Sequence, residues 1–327
     1  MTKPLTVWLT PPGPNPWKAN NPQVITVLNE LGVPYNIHSF KFDDVKKPPF
    51  ININPNGRVP AIVDPNTDLT LWESGAILQY LEDVYDTEKK LTYTSLKEKH
   101  LLNQWLHFQM SGQGPYFGQA GWFNVLHAEK LPSAIERYEN EVHRILGVLN
   151  TALEGRNWLV GDKCTFADLA FLPWNARVNM VLLTPEGEDP LAPYPNVQAW
   201  QRRMEMRESW REAMRTRDRL MDEQGLMPNG MPKGVSNMKE YEELMSRQAK
   251  EREGKYRKET TNRPCNMMAL KSVFHLLSTP QIQVRFLKAL STSARDSVVE
   301  GGMEETKEIP PKTYLSTRCL LRHCLFD

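Results

Sequence analysis

The chain has 327 residues, 40% of them hydrophobic, enough for one large or two ordinary domains with filled cores. Lys and Arg number 40 against 39 Asp and Glu, a net charge of +1, so no global field recruits nucleic acid or an anionic membrane, and neither is expected as a partner. The start, MTKPLTVWLTPPGP, has an apolar run cut short by prolines, which speaks against a signal peptide and a membrane span. Four cysteines, Cys164, Cys265, Cys319 and Cys324, lack metal-ligand spacing, so a reducing cytoplasmic setting and no metal are expected.

In chain order, LTVWLT (Leu5 to Thr10) reads as a strand, VITVLNELG as a helix ending on Gly32, and YNIHSF as a second strand. RVPAIVD (Arg58 to Asp64), the turn PNTD, and LTLWESGAILQYLEDVYD (Leu69 to Asp86) follow, the last passing from strand to amphipathic helix near Glu73. The order is β-α-β and then β-β-α. From about Thr87 the apolar residues of LLNQWLHFQMSGQGPYFGQAGWF and AIERYENEVHRILGVLNTALEG recur at helical spacing, which predicts an all-helical domain. After about Leu220 comes a Gly/Pro/Met loop, then NMKEYEELMSRQAKEREGKYRKE, a charged helix with little to bury, and an apolar patch in MALKSVFHLLSTPQIQVRFLKAL. The expected domains are 1–86, 87–222 and a charged, partly helical or disordered tail, 223–327.

The segment GPNPWKANNPQV holds two helix entrances, Asn15-Pro16 and Asn21-Pro22, each an N-cap residue before a proline suited to the first helical position. The helix is expected to begin near Pro22, leaving Asn15 in the turn ahead of it. Later, TFAD places Thr165 as N-cap with Asp168 three residues on, a capping-box pair with Cys164 and Leu169 in staple positions. Its role is structural, and Cys164 reads as core rather than nucleophile.

NPNGRVPAIVD followed by LWESGAILQYLE, then WLHFQMSGQGPYFGQA, then WLVGDKCTFADLAFLPWN resemble, in that order, the glutathione transferases. The resemblance is to the fungal group similar to the yeast nitrogen-catabolite-repression regulator, with nu-class bacterial cousins, and it runs from about Leu5 to about Lys250. It implies an α+β thioredoxin-like N-terminal domain, an all-α transferase domain and a poorly structured C-terminal tail. It also implies a homodimer with glutathione as co-substrate, an electrophilic small molecule as the other partner, and no permanently bound cofactor.

Residue by residue, the resemblance implies a cis Val59-Pro60 bond whose outward backbone edge pairs with the cysteinyl unit of glutathione. Glu73 and Ser74, at a helix entrance, suit the zwitterionic γ-glutamyl end, with Ser74 alternatively an ordinary N-cap. Lys46 is the basic candidate for the glycine end, because Val45 stands where relatives carry a histidine. A thiol of pKa ~8.5 becomes nucleophilic as the thiolate, and one charge-assisted hydrogen bond plus a helix dipole supplies about one to two units of lowering. No cysteine precedes Cys164, which speaks against a cysteine mechanism, and the resemblance places Asn15 of PNPWK at the thiol-activating position, an amide donor without base capacity.

Removing ANNPQ (Ala19 to Gln23) aligns this turn with the family without a gap, so the extra residues separate Asn15 from the dipole. The acceptor pocket is expected between the domains, lined by Trp17, Phe108, Met110, Tyr116 and Phe117, with Trp174 a further candidate, although aromatics at this spacing also build cores. Three functions fit: conjugation in detoxification or secondary metabolism, glutathione-dependent disulfide reduction, and non-catalytic regulation. The last is disfavoured by the absence of an Asn/Gln-rich segment before the fold.

Overall fold

The computed structural model describes residues 2–10, 20–227, 231–235 and 238–261. Four strands, β1 (Leu5–Leu9), β2 (Tyr35–Ser39), β3 (Ala61–Asp64) and β4 (Leu69–Trp72), form one sheet in the order β2-β1-β3-β4. β1 runs parallel to β2, with Val7 opposite Ile37, and antiparallel to β3, with Val7 opposite Ile62; β3 and β4 form an antiparallel hairpin. The parallel pair needs a crossover, which α1 (Asn20–Leu31) supplies.

Side chains alternate across the sheet because the strand period is two. Leu5, Val7, Leu9 and Ile62 enter the main core with α1, whereas Trp8 and Ala61 belong to a smaller cluster with Val45, Phe50 and Val59. A short helix that the sequence reading did not separate, α2 (Phe50–Ile53), contributes Phe50 to that second cluster. α3 (Ser74–Tyr85) completes the βαβαββα order of a thioredoxin-like domain.

The second domain is all helical: α4 (Leu96–Phe108), α5 (Gly114–Gly121), α6 (Pro132–Ala152), α7 (Phe166–Asn175), α8 (Val178–Val181), α9 (Pro195–Glu205) and α10 (Glu208–Glu223). Two π turns, Gln109–Gln113 and Trp122–Leu126, join α4 to α5 and follow α5. Pro115 accounts for the first: a proline ring inside a helix clashes with the carbonyl four residues back, and widening the preceding turn to a Gly114 N–H to Gln109 O bond makes room. Helical periodicity alone gives no sign of it.

The capping box opens α7 as expected. Asp168, fully buried, accepts from the Thr165 N–H at 2.9 Å and hydroxyl at 2.6 Å, from Leu159 N–H at 2.9 Å and from Trp200 Nε1 at 3.0 Å. Cys164 beside it is a free, buried thiol whose pKa burial drives well above the usual range, in keeping with a core role.

α1 begins at Asn20, close to the expected start at Pro22. Most of the extra ANNPQ segment is therefore the first helical turn, and it is anchored: Asn21 Nδ2 donates to Thr10 O at 2.7 Å and Gln23 Nε2 to Ala170 O at 3.0 Å, both buried. At its other end Glu30 takes two bonds from Arg207, at 2.6 and 2.7 Å, and one from the Ser209 hydroxyl, which fastens the first domain to the head of α10.

α11 (Met238–Thr261) matches the predicted charged helix, but the stretch leading into it is not an appendage. Met231, Val235 and Tyr241 are buried in the main core, because an otherwise polar sequence supplies these apolar side chains. The apolar patch at 268–290 and the rest of the chain to 327 lie outside the described residues. Among the described residues no helix is long and apolar enough to cross a membrane.

Candidate functional site

The site is assembled from punctuation in the backbone. Asn54, almost fully buried, accepts from the Asn56 N–H at 2.9 Å through its side-chain oxygen and donates its amide to Arg58 O at 2.5 Å, so one side chain closes the whole Asn54–Arg58 turn. Gly57 within it has φ 61°, and a Cβ there would stand 3.0 Å from Val45 O and 3.2 Å from Lys46 Cγ. Glycine meets both demands without strain. The chain then passes through Val59 into a cis bond at Pro60, as expected, and on into β3.

Sequence reasoning left the role of Asn54 unassigned. Its signal was the NPNG string, four turn-forming residues in succession.

β4 delivers Glu73 at the entrance of α3 with φ 71° and ψ 113°, a conformation that costs a non-glycine residue on the order of 1–3 kcal/mol. Glu73 is exposed, and Asn56 Nδ2 lies 3.5 Å from its Oε1, the outer limit of a hydrogen bond. The N-cap position belongs to Glu73, with Ser74 the first helical residue, so Ser74 is not the ordinary N-cap. The first helical bond runs from Ile77 N–H to Glu73 O, which leaves the N–H groups of Ser74, Gly75 and Ala76 without intrahelical acceptors and the positive end of the dipole at this corner.

The first π turn of the helical domain packs on that corner. Ser74, 2% exposed, directs its hydroxyl to Met110 Sδ at 3.6 Å, and a Cβ on Gly75 would stand 3.0 Å from Met110 Cγ. Two sets of residues singled out separately, Ser74 for one end of glutathione and Met110 for the acceptor side, thus touch. Thioether sulfur is a weak acceptor, so the hydroxyl has a partner that a carboxylate readily replaces.

The other candidates distribute as follows. Lys46 is exposed, between buried Val45 and the Gly57 turn, while Val59 and Pro60 are buried. Phe108 and Tyr116 are half-buried; Phe108 packs against Trp105 and Phe171, and Tyr116 lies 6.4 Å from Tyr138. Phe117 is a core side chain, 0% exposed, with its ring edge-on to Trp174, itself buried. Asn15 and Trp17 lie outside the described residues.

Two family models match the chain: the glutathione S-transferase N-terminal domain over residues 4–83 and the glutathione S-transferase C-terminal domain over residues 111–208. The chain belongs to the glutathione S-transferase family, in its Ure2-like fungal group. Among curated relatives, the glutathione S-transferase-like protein tpcF of Aspergillus fumigatus is 46% identical over 211 residues, 62% of this chain and 91% of that one. Among solved structures, the glutathione transferase URE2P6 from Phanerochaete chrysosporium, in complex with oxidized glutathione, is 42% identical and superimposes with a TM-score of 0.61 over 67% of this chain and 98% of that one. Ure2p5 from the same organism, cocrystallized with 1-(S-glutathionyl)-2,4-dinitrobenzene, is 37% identical with a TM-score of 0.59, covering 68% of this chain and 98% of that one. These relatives are matched over nearly their whole length, while about a third of the present chain lies outside each match.

Proposed function

We propose that the protein binds glutathione along the Val59–Pro60 edge and transfers its thiolate to an electrophilic small molecule, a xenobiotic or an intermediate of secondary metabolism. The observation that carries this reading is the Ser74–Met110 contact, which sets the corner suited to a γ-glutamyl zwitterion against the helical domain that would hold the acceptor. The amine of that group pairs with the Glu73 carboxylate, and its carboxylate takes the α3 N–H groups and the Ser74 hydroxyl, freed from its sulfur partner. Lys46 meets the glycine carboxylate, and Val59 offers its backbone to the cysteinyl unit. Asn15 donates to the sulfur and favours the thiolate.

In the reaction the thiol proton leaves to solvent, the sulfur forms a bond to the electrophilic carbon, and the leaving group departs with its electron pair. Phe108, Met110, Tyr116 and Trp17 are the side chains assigned to the acceptor. The glutathione conjugate held by the Phanerochaete relative is the kind of molecule such a transfer yields, which supports the reading. The name of tpcF, a transferase-like protein, is in keeping with it.

A second reading, reduction of disulfides by bound glutathione, is favoured by the oxidized glutathione in the other relative. Incubating the purified protein and glutathione with 1-chloro-2,4-dinitrobenzene in one assay and with a model disulfide in another separates the two. Turnover of the aromatic chloride supports conjugation, disulfide turnover alone supports the second reading, and retention on immobilised glutathione without either removes both.

We further propose a homodimer, supported by the exposed apolar side chains Val84 on α3 and Leu96 on α4. Sedimentation at twice the chain mass of 37.7 kDa tests it.

A further inference from the structure

The loop between β2 and α2 carries Lys46, and its course is fixed from three sides. On one side Val45 is buried with Val59 in the smaller apolar cluster, which ties the loop to the residue before the cis bond. On the second, the backbone of Val45 and the stem of Lys46 close on Gly57, so near that an added Cβ would stand 3.0 and 3.2 Å from them. The third comes from far along the chain. Tyr241, 198 residues away on α11, donates its hydroxyl to Asp43 Oδ1 at 2.8 Å.

That contact is built rather than incidental. Tyr241 is 7% exposed and stands in the main core with Met231 and Val235, while Leu244 and Met245, three and four residues on, pack against the same core. This is one apolar stripe on a charged helix, at the spacing that puts residues on one face. Burial, reinforced by the bond to Asp43, raises the Tyr241 pKa well above the ordinary 10.0, so the hydroxyl stays protonated and donating. The segment lies beyond the C-terminal family match, which ends at residue 208.

We infer that Tyr241 is a positioning residue for the glycine end of glutathione: by holding Asp43, α11 sets the loop that presents Lys46. The inference rests on the assignment of Lys46 to the glycine carboxylate. The Asp44 N–H to Lys41 O bond at 3.1 Å and the exposed Lys47–Asp44 pair at 2.9 Å are local to the loop, so losing the Tyr241 bond removes its tie to α11. Lys46 then samples more positions and pays more ordering entropy on binding.

The test uses the full chain as wild type, Tyr241→Phe and Asp43→Ala, with glutathione and γ-glutamylcysteine, which lacks the glycine carboxylate, as ligands in calorimetric titrations and in turnover. The wild type is expected to prefer glutathione. Both variants should lose at least about threefold of that preference, through a higher KM for glutathione with kcat and the affinity for γ-glutamylcysteine unchanged. Tyr241→Phe keeps the ring and its burial, and Asp43 is exposed, so both variants fold. A wild-type preference that survives intact in both variants overturns the inference and leaves Lys46 standing. Equal weakening of both ligands also overturns it, since that marks a general structural role. A wild type with no preference removes the Lys46 assignment and the inference together.

Discussion

The turn from Asn54 to Ser74 and the helical stretch from Phe108 to Phe117 face each other across the Ser74–Met110 contact, yet they are positioned by different physics. The first is held by backbone devices: an Asn side chain closing a turn, a glycine at positive φ, a cis proline and a strained Glu73. The second is held by the packing of large side chains around a π turn, with Phe117 in the core and Met110 at the boundary. Backbone devices demand particular residue types. Packing demands only size and apolarity, which many arrangements satisfy.

The contrast breaks most visibly at Phe117. Phe117→Ala deletes a fully enclosed ring and is expected to cost about 3–5 kcal/mol of stability in urea denaturation, while Tyr116→Ala, next to it and half-buried, costs much less and changes the KM for the acceptor. Equal stability losses at the two positions would erase the distinction between core and pocket within α5. Next in size is Ser74→Ala, which removes one donor to a carboxylate worth roughly 1.5–3 kcal/mol, so glutathione affinity in a titration should fall about 10- to 100-fold. Thermal stability should scarcely move, because the hydroxyl gives up only a sulfur contact at 3.6 Å. A variant that binds normally would mean that this corner does not hold the γ-glutamyl carboxylate.

The same contrast explains what could be read from the sequence. The order of elements along the first domain, the cis bond at Pro60 and the passage from strand to helix near Glu73 were legible because Gly, Pro, Asn and Ser act locally, through sterics and hydrogen bonds that reach only a few residues. The capping box at Thr165 was legible for the same reason. The burial of Phe117 was not, since helical periodicity marks an apolar face without saying whether a cavity or another helix covers it. Nor was the place of Tyr241, whose partner Asp43 is 198 residues away and whose neighbours in sequence are charged. The extra ANNPQ segment read as an interruption, yet its Asn21 and Gln23 earn burial by reaching the Thr10 and Ala170 carbonyls, long-range bonds that no local pattern announces.

The smallest expected effect lies at the joint between the two domains, where Glu30 on α1 meets Arg207 and Ser209 at the head of α10. Burial alone raises the Glu30 pKa, but the hydrogen bonds from Arg207 and Ser209 outweigh it and leave the value below the ordinary 4.5. A carboxylate with a lowered folded-state pKa adds stability that is complete above its unfolded value and is lost as pH falls through the folded one. Glu30→Gln keeps one oxygen acceptor for the guanidinium and forfeits the charge, so at pH 7 it should be about 1 kcal/mol less stable than the wild type. Because glutamine does not titrate, that difference should shrink once the pH drops below about 4.5 and close as Glu30 itself is protonated. Urea titrations of both proteins from pH 7 to pH 3 read the difference directly. A gap that stays constant over this range would mean that the joint is held by shape, as in the Phe117 core, and not by the charge of Glu30.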